Sequence, residues 1–164
     1  MSLLYISLMT EEPKKERTIV TNRKAFHDYE ILDRREVGIE LQGSEVKSLR
    51  MGKVNLSDSY ASVEDGEVIL FNLHISPYEM ATQGGHDPLR ARRLLLHKRE
   101  IRRLFTATEE KGFTLIPLRI YFKGSNIKIE LAIARGRKSY DKREKKAEKE
   151  ANRAIKRAMR RKLK

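Results

Sequence analysis

Residues 113–134 read FTLIPLRIYFKGSNIKIELAIA and give the strongest indication of the fold. Phe113–Phe122 and Ile127–Ala134 are both rich in apolar residues, and Gly124-Ser125-Asn126 separates them. The second run has an apolar residue at every second position from Ile127 to Ile133, which is the period of a half-buried strand. Because Gly, Ser and Asn favour tight turns, the sequence predicts a β-hairpin here.

A second hairpin is predicted around Asp65-Gly66, since this dipeptide readily adopts the positive backbone angles of a two-residue turn. Its arms would be Ser59–Val63 and Val68–Ile75. The residues expected on its buried face are Ile69, Phe71, Leu73 and Ile75. The segment that begins at Tyr29 predicts the first strand of the chain, because its apolar residues alternate at Val37, Ile39 and Leu41.

Two helices are predicted between the strands. Ser44–Met51 is a short helix that ends at Gly52, with Val46 and Leu49 facing inward. The residues expected on its outer face are Glu45, Lys47, Ser48 and Arg50. Leu95–Lys111 is an amphipathic helix that ends at Gly112.

These elements predict a mainly β fold with flanking helices. A closed or partly closed antiparallel barrel removes exposed strand edges, and the OB-fold is a common nucleic-acid-binding barrel of this kind. We expect a flexible leader over residues 1–20, one barrel domain over residues 21–134 and a separate tail over residues 135–164. Residues 76–93 contain Pro and Gly and few apolar residues, so they predict a long connecting loop.

The positive charge is concentrated in the tail. Residues 135–164 contain 15 Lys and Arg against 4 Asp and Glu, which is +11 of the net +13 of the chain. Clustered cations bind polyanions because they displace counterions from phosphates. The charge distribution therefore predicts a nucleic-acid partner.

Several other classes of site are not supported by the sequence. The chain has no Cys, which excludes disulfides and thiolate metal sites and suits a reducing cytoplasm. The four His residues have no metal-ligand spacing, and there is no phosphate-binding loop or nucleophile elbow. His27-Asp28 and His86-Asp87 leave acid–base chemistry on RNA open as an alternative, although adjacent strand residues point to different sides.

Five blocks occur in order across residues 22–143: NRKAFHDYEI, GIELQGSEVKSLRMGKVNLSDSY, HISPY, DPLRARRLLLH and ARGRKSYDKR. With these blocks the chain resembles the SmpB family of SsrA-binding proteins over about three quarters of its length. The resemblance implies an OB-fold protein, not an enzyme, that needs no cofactor. It would bind the tRNA-like domain of tmRNA and deliver it to stalled ribosomes for trans-translation.

The resemblance also implies which residues bind tmRNA. They are Asn22, Arg23, Lys24, His27, Glu36, Glu45, Lys47, Ser48, Arg50, Lys53, Leu96 and Lys128. The cations would neutralise phosphates, whereas Asn22 and the two glutamates would pair with base edges or 2′-hydroxyls or orient a neighbouring cation. Alternatively, the charged residues only solvate a helix face, and Leu96 and Lys128 have ordinary structural roles.

For the tail, the resemblance implies that the chain probes the empty decoding site and the mRNA channel of the ribosome. The residues implied are Gly136, Arg137, Lys138, Tyr140, Asp141, Lys142 and Arg143. Gly136 would permit a bend out of the barrel, and Tyr140, where relatives often carry His, would stack on an exposed base. The weak apolar stripe beyond them predicts disorder in the free protein and a helix on the ribosome; a merely cationic, nonspecific tail is the alternative.

Two other functions remain open at this stage. One is a ribosome-associated structural protein, or an OB-fold protein like an initiation factor, that uses the same barrel and tail. The other is an RNA-processing enzyme that acts through His and Asp. The expected partners are tmRNA and small-subunit rRNA, and the expected state is a cytoplasmic monomer without a membrane segment.

Overall fold

The computed structural model describes residues 16–81, 85–137 and 139–162. Within these ranges the strands are β1 Glu16–Thr21, β2 Tyr29–Ile39, β3 Val54–Asn55, β4 Tyr60–Glu64, β5 Glu67–Phe71, β6 His74–Ile75, β7 Arg92–Leu95, β8 Thr114–Lys123 and β9 Asn126–Gly136. The helices are α1 Arg23–Asp28, α2 Gly43–Arg50, α3 Lys98–Phe105 and α4 Ser139–Lys162. A π-helical segment, Thr106–Glu110, follows α3 directly.

Seven strands form one antiparallel sheet in the order β1-β8-β4-β5-β7-β2-β9. Strand β9 also pairs with β8, so the hydrogen-bonded order returns to a strand near its beginning. Strands β3 and β6 form a separate two-stranded sheet. The prediction of a mainly β fold with flanking helices is confirmed.

Both predicted hairpins are present. Strands β8 and β9 pair from Thr114 to Lys123 and are joined at Gly124, which has a φ of +62°. Strands β4 and β5 are joined by Asp65 and Gly66, with φ values of +49° and +76°. The positive angles at both turn residues explain why the Asp-Gly pair is suited to this position.

Strand β8 contributes to two apolar clusters because its register shifts in the middle. Leu115 and Ile120 lie in the main core, whereas Ile116 and Leu118 pack with Ala25 of α1 in a second cluster. The pairing of β8 with β9 skips Leu118, which is the extra residue of a β-bulge beside Pro117. A bulge changes which side of the sheet the following residues face, so α1 is anchored on one side of β8 and the main core fills the other.

Three predictions about where elements lie along the chain need correction. The predicted leader is too long, because Glu16–Thr21 pairs with β8 as strand β1, whereas residues 1–15 lie outside the described residues. The strand from Tyr29 is present, but it is the second strand of the chain. Strand β9 extends to Gly136, two residues past the predicted end of the barrel domain.

The predicted helix over Leu95–Lys111 is divided between three elements. Residues Arg92–Leu95 pair with β5 and β2 as strand β7, and the helix begins at Lys98. The alternation of buried Arg92 and Leu94 with exposed Arg93 and Leu95 is that of a strand. An arginine in a core position concealed this pattern in the sequence.

The predicted buried face of the second hairpin is wrong before Asn72 and right after it. Val68 and Leu70 are fully buried, whereas Ile69 and Phe71 are only partly buried. Asn72 has a φ of +57°, and beyond it Leu73 and Ile75 are buried. The bend at Asn72 therefore reverses the alternation, which a regular strand would have continued.

Candidate RNA interface

Helix α1 presents exposed cations from a rigid N-cap. Asn22 is only 6% exposed, its Oδ1 accepts a hydrogen bond from the Ala25 amide, and its Nδ2 donates to the carbonyls of Leu56 and Pro117. Both polar atoms of its side chain are engaged within the protein, so the expectation that Asn22 reads bases is not supported by its position. Instead, Asn22 holds α1 against the sheet and leaves Arg23 exposed.

The other predicted residues of α1 are exposed and have acidic neighbours. Lys24 Nζ lies 2.6 Å from Asp58, and His27 Nδ1 lies 2.9 Å from Asp28. The hydrogen bond with Asp58 is the main cause that raises the pKa of Lys24. Exposed ion pairs of this kind contribute little to stability, so an RNA phosphate can compete for these cations.

Helix α2 has an exposed basic side. Lys47 and Arg50 are both exposed, and the Lys47 ammonium lies 5.1 Å from the centre of the Tyr78 ring. Lys53, just beyond the helix, is paired with the exposed Glu79 at 2.6 Å. The prediction that Lys47 and Arg50 face outward is confirmed.

The prediction that Glu45 and Ser48 face outward is wrong, because both are fully buried. Glu45 lies 2.7 Å from Arg90 and 2.8 Å from Arg92, and it accepts a hydrogen bond from the Gln42 amide in a capping box. Burial acts to raise the pKa of Glu45, but the hydrogen bonds from Arg90 and Gln42 and the charge of Arg92 outweigh it and hold the pKa below its usual value.

We call Glu45, Arg90 and Arg92 the buried ion cluster. Arg92 is completely buried and also donates to the carbonyls of Leu73, Arg90 and Pro88. The cluster therefore ties α2 to β7 and to the end of the preceding loop. Arg90 and Arg92 were not identified from the sequence as functional residues. The sequence feature that could have placed Arg92 in the core is its alternation with Leu94 in a strand.

Glu36 lies in a polar group on the outer side of β2, β8 and β9. It accepts a hydrogen bond from the Tyr121 hydroxyl at 2.5 Å and lies 2.9 Å from Lys123. These two contacts hold the pKa of Glu36 below its usual value, while burial and Glu36 raise the pKa of Tyr121. Lys128 lies directly across from Tyr121 in the β8–β9 pairing.

Tyr121 and Lys123 were not identified as part of this group from the sequence. They lie 85 and 87 positions from Glu36, and no local pattern relates residues so far apart in the chain. Leu96 is partly buried and packs against the main core. This placement agrees with the structural alternative considered for Leu96. Lys128 is partly buried as well, but it lies in the polar group.

His86 has a structural role in the described part of the chain. His86 is buried, and its Nε2 lies 3.0 Å from the Ile75 carbonyl while its Nδ1 lies 2.9 Å from the Ser44 hydroxyl. A carbonyl oxygen can only accept a hydrogen bond, so Nε2 carries a proton. Among the side chains that the structure describes, no group of three His, Asp or Glu could hold a metal ion.

The tail begins close to α1. Gly136 is the last residue of β9, and the Arg137 amide donates to the Asp28 carbonyl at 3.0 Å. Helix α4 contains Tyr140, Asp141, Lys142 and Arg143, whose side chains are not among those described, and Lys138 lies outside the described residues. No helix within the described ranges is long and apolar enough to cross a membrane.

Comparison with known proteins relates these features to a family. The model of the SmpB protein family matches residues 19–161. The SsrA-binding protein of Carboxydothermus hydrogenoformans is 59% identical over 132 residues, which cover 80% of this chain and 89% of the relative. The SsrA-binding protein of Caldicellulosiruptor bescii is 58% identical over 138 residues, which cover 83% of this chain and 87% of the relative.

A solved structure is also similar. A chain of the structure described as "tmRNA-SmpB: a journey to the center of the bacterial ribosome" is 54% identical, with a TM-score of 0.62. The match covers 73% of this chain and 85% of that chain. The family model spans most of the strand-containing body, residues 16–137, and most of α4, and the two relatives are 58–59% identical over at least 80% of the chain. This chain therefore belongs to the SmpB protein family.

Proposed function

We propose that this chain binds the tRNA-like domain of tmRNA and delivers it to stalled ribosomes for trans-translation. The observation that carries the proposal is the extensive identity to SsrA-binding proteins, together with the likeness to a chain of a tmRNA-SmpB ribosome structure. The protein acts by binding rather than by catalysis. We place it in the cytoplasm as a monomer, with tmRNA and small-subunit rRNA as its partners.

The proposed body is a closed antiparallel barrel of the OB type. In support, β8, β4, β5, β7, β2 and β9 are hydrogen-bonded in a cyclic order. One apolar cluster contains residues of all six strands, as the interior of a barrel would. In such a barrel α1 and α2 are held on a rigid support, which suits the recognition of a folded RNA by shape.

Within the proposed interface, the residues divide into two roles. Arg23, Lys47 and Arg50 are exposed and join none of the ion pairs among the described side chains, so we assign them to phosphates. Lys24 and Lys53 would exchange a weak carboxylate partner for a phosphate. The residues that we assign to positioning rather than direct contact are Asn22, Glu45, Ser48 and Leu96.

The polar group around Glu36 is the proposed site of more specific recognition. Glu36 is held as a carboxylate beside Lys123 and Lys128, so it can accept a hydrogen bond from a base amino group or a 2′-hydroxyl while the lysines meet phosphates. We propose that the tail, from Gly136 onward, contributes to ribosome engagement and not to tmRNA affinity.

The proposed function is tested by comparing the affinity for a tmRNA tRNA-like domain with that for an ordinary tRNA at several fixed salt concentrations. We expect a strong preference for the tRNA-like domain. Lys47→Ala/Arg50→Ala should weaken this binding and reduce the slope of log affinity against log salt by about 1 per lost phosphate contact. Lys98→Ala/Arg99→Ala, which removes the same charge from α3, is the control. Equal affinity for both RNAs would contradict the proposal.

A further inference from the structure

A cleft of about 450 Å³ lies between α3 and the β2–β9 pair. Its volume falls in the range of small-molecule sites, about 300–1,000 Å³. The walls are mainly apolar and come from four separate parts of the chain. Their apolar residues are Leu32, Ala107, Phe113 and Ile133.

Two backbone irregularities meet at this cleft. The pairing of β2 with β9 skips Leu32, which is the extra residue of a β-bulge and remains 43% exposed. On the facing wall, α3 changes into the π-helical segment that contains Ala107. Both kinds of irregularity are frequent beside functional sites, because each redirects side chains that a regular element would place elsewhere.

The rim of the cleft carries exposed cations that can bind an anionic ligand. Arg102, Arg103 and Lys111 line it, and all three are exposed. Where side chains are described, none of the ion pairs includes any of these three residues. The one acid in the lining, Asp33, is paired with Arg35 at 3.0 Å. The cleft thus combines an apolar floor with uncompensated positive charge.

This combination matches the chemistry of one nucleotide. A base has flat apolar faces that pack on apolar or aromatic side chains, whereas its phosphates need cations. An arginine can also stack on the base, since its guanidinium is planar and weakly hydrated. A paired base in a duplex would not reach the floor, so the ligand must be unstacked.

We infer that the cleft binds an unpaired nucleotide of the tRNA-like domain of tmRNA, with the base against Leu32 and Phe113 and the phosphates at the cationic rim. The inference rests on the proposed function and adds a site to it. We choose tmRNA because the cleft belongs to the body of the protein, and because β2, which supplies Leu32, also carries Glu36. None of the cleft residues was identified from the sequence.

The first test compares two double variants of α3 that remove equal charge. Arg102→Ala/Arg103→Ala removes two of the three cations of the rim, whereas Lys98→Ala/Arg99→Ala removes two exposed cations outside the cleft lining. We expect at least a tenfold loss of affinity for the tRNA-like domain from the first pair and less than twofold from the second. Equal losses from both pairs would overturn the inference and leave only a general charge effect.

The second test uses the absence of cysteine from the chain. A photocrosslinker on Leu32→Cys should react with one unpaired nucleotide of the tRNA-like domain, whereas the same group on Glu64→Cys, at the exposed end of β4, should not. Crosslinks spread along the duplex, or found only in rRNA, would overturn the inference. If wild-type protein still prefers tmRNA over tRNA in that case, the cleft is not a nucleotide-binding site, whereas the proposed function is retained.

Discussion

At the scale of single residues, the buried ion cluster shows why a family-associated polar residue need not contact the ligand. Glu45 follows the sequence pattern of an outward charge on α2, yet it is completely buried. Its two partners, Arg90 and Arg92, follow it in the chain by 45 and 47 positions, and no local sequence pattern indicates that they pair with it. The sequence could indicate that Glu45 is functionally important. Only the packing of α2 against β7 shows that its carboxylate pairs with buried arginine.

Glu45→Gln should lower the free energy of unfolding by about 3 kcal/mol, because it leaves the buried Arg92 without a charged partner. The measurement is urea unfolding at neutral pH. Glu40→Gln, which breaks an exposed pair with Arg93, is the matched control and should cost far less. Equal losses from the two variants would contradict the role of the buried ion cluster.

The same residue predicts a pH dependence. The pKa of Glu45 is lower in the folded protein than in the unfolded chain, so its stabilisation is complete above the unfolded value of about 4.3 and is lost as the pH falls through the folded pKa. Wild-type protein should therefore lose stability on acidification below about pH 4 more steeply than Glu45→Gln. Parallel stability curves between pH 5 and pH 2 would argue against this assignment.

Tyr121→Phe should raise the pKa of Glu36, because it removes the hydrogen bond that contributes most to lowering that pKa. Carbon-13 NMR of the side-chain carboxyl would measure the change. We also expect a severalfold loss of affinity for the tRNA-like domain, because Glu36 would no longer be oriented. Tyr60→Phe, on an exposed strand position, should change neither quantity; an unchanged Glu36 pKa in Tyr121→Phe would disprove the positioning role.

At the scale of elements, the sequence predicted the regular parts and missed the irregular ones. Hairpins with Gly-containing turns and alternating strands were predictable, since turn chemistry and alternation are local properties. The reversal of alternation at Asn72 and the bulge at Leu118 were not, because one residue in an unusual conformation changes every later side chain. The bulge at Leu118 determines which face of β8 supports α1, and the bend at Asn72 determines that Leu73 and Ile75 are buried.

Helix α1 provides a test of positioning against contact. Asn22→Ala should lower the free energy of unfolding by about 2 kcal/mol, because it removes the N-cap and leaves two buried carbonyls without their donor. Thermal unfolding would measure the loss. The RNA affinity of the folded fraction should change by less than about threefold. A large loss of affinity with normal stability would instead show direct RNA contact by Asn22.

At the scale of the whole molecule, charge divides the chain into two parts. Residues 135–164 contribute +11 of the net +13, while many cations of the body are paired with carboxylates, as Arg93 is with Glu40 and Glu67. Among the described side chains, the cations that join no ion pair include Arg23 of α1, Lys47 and Arg50 of α2, and four residues of α3, Lys98, Arg99, Arg102 and Arg103. This distribution supports the proposal that the body recognises one RNA by its shape, whereas the tail binds the closely spaced phosphates of ribosomal RNA.

We propose a division of roles in which the body binds tmRNA and the tail is needed for tmRNA tagging on the ribosome. It is tested most directly with a chain that ends at Arg137, which keeps all of β9 and the hydrogen bond from Arg137 to Asp28. Affinity for the tRNA-like domain and tmRNA tagging on stalled ribosomes would be measured side by side with the full chain. We expect nearly unchanged affinity and loss of tagging; a similar loss of both would contradict this division of roles.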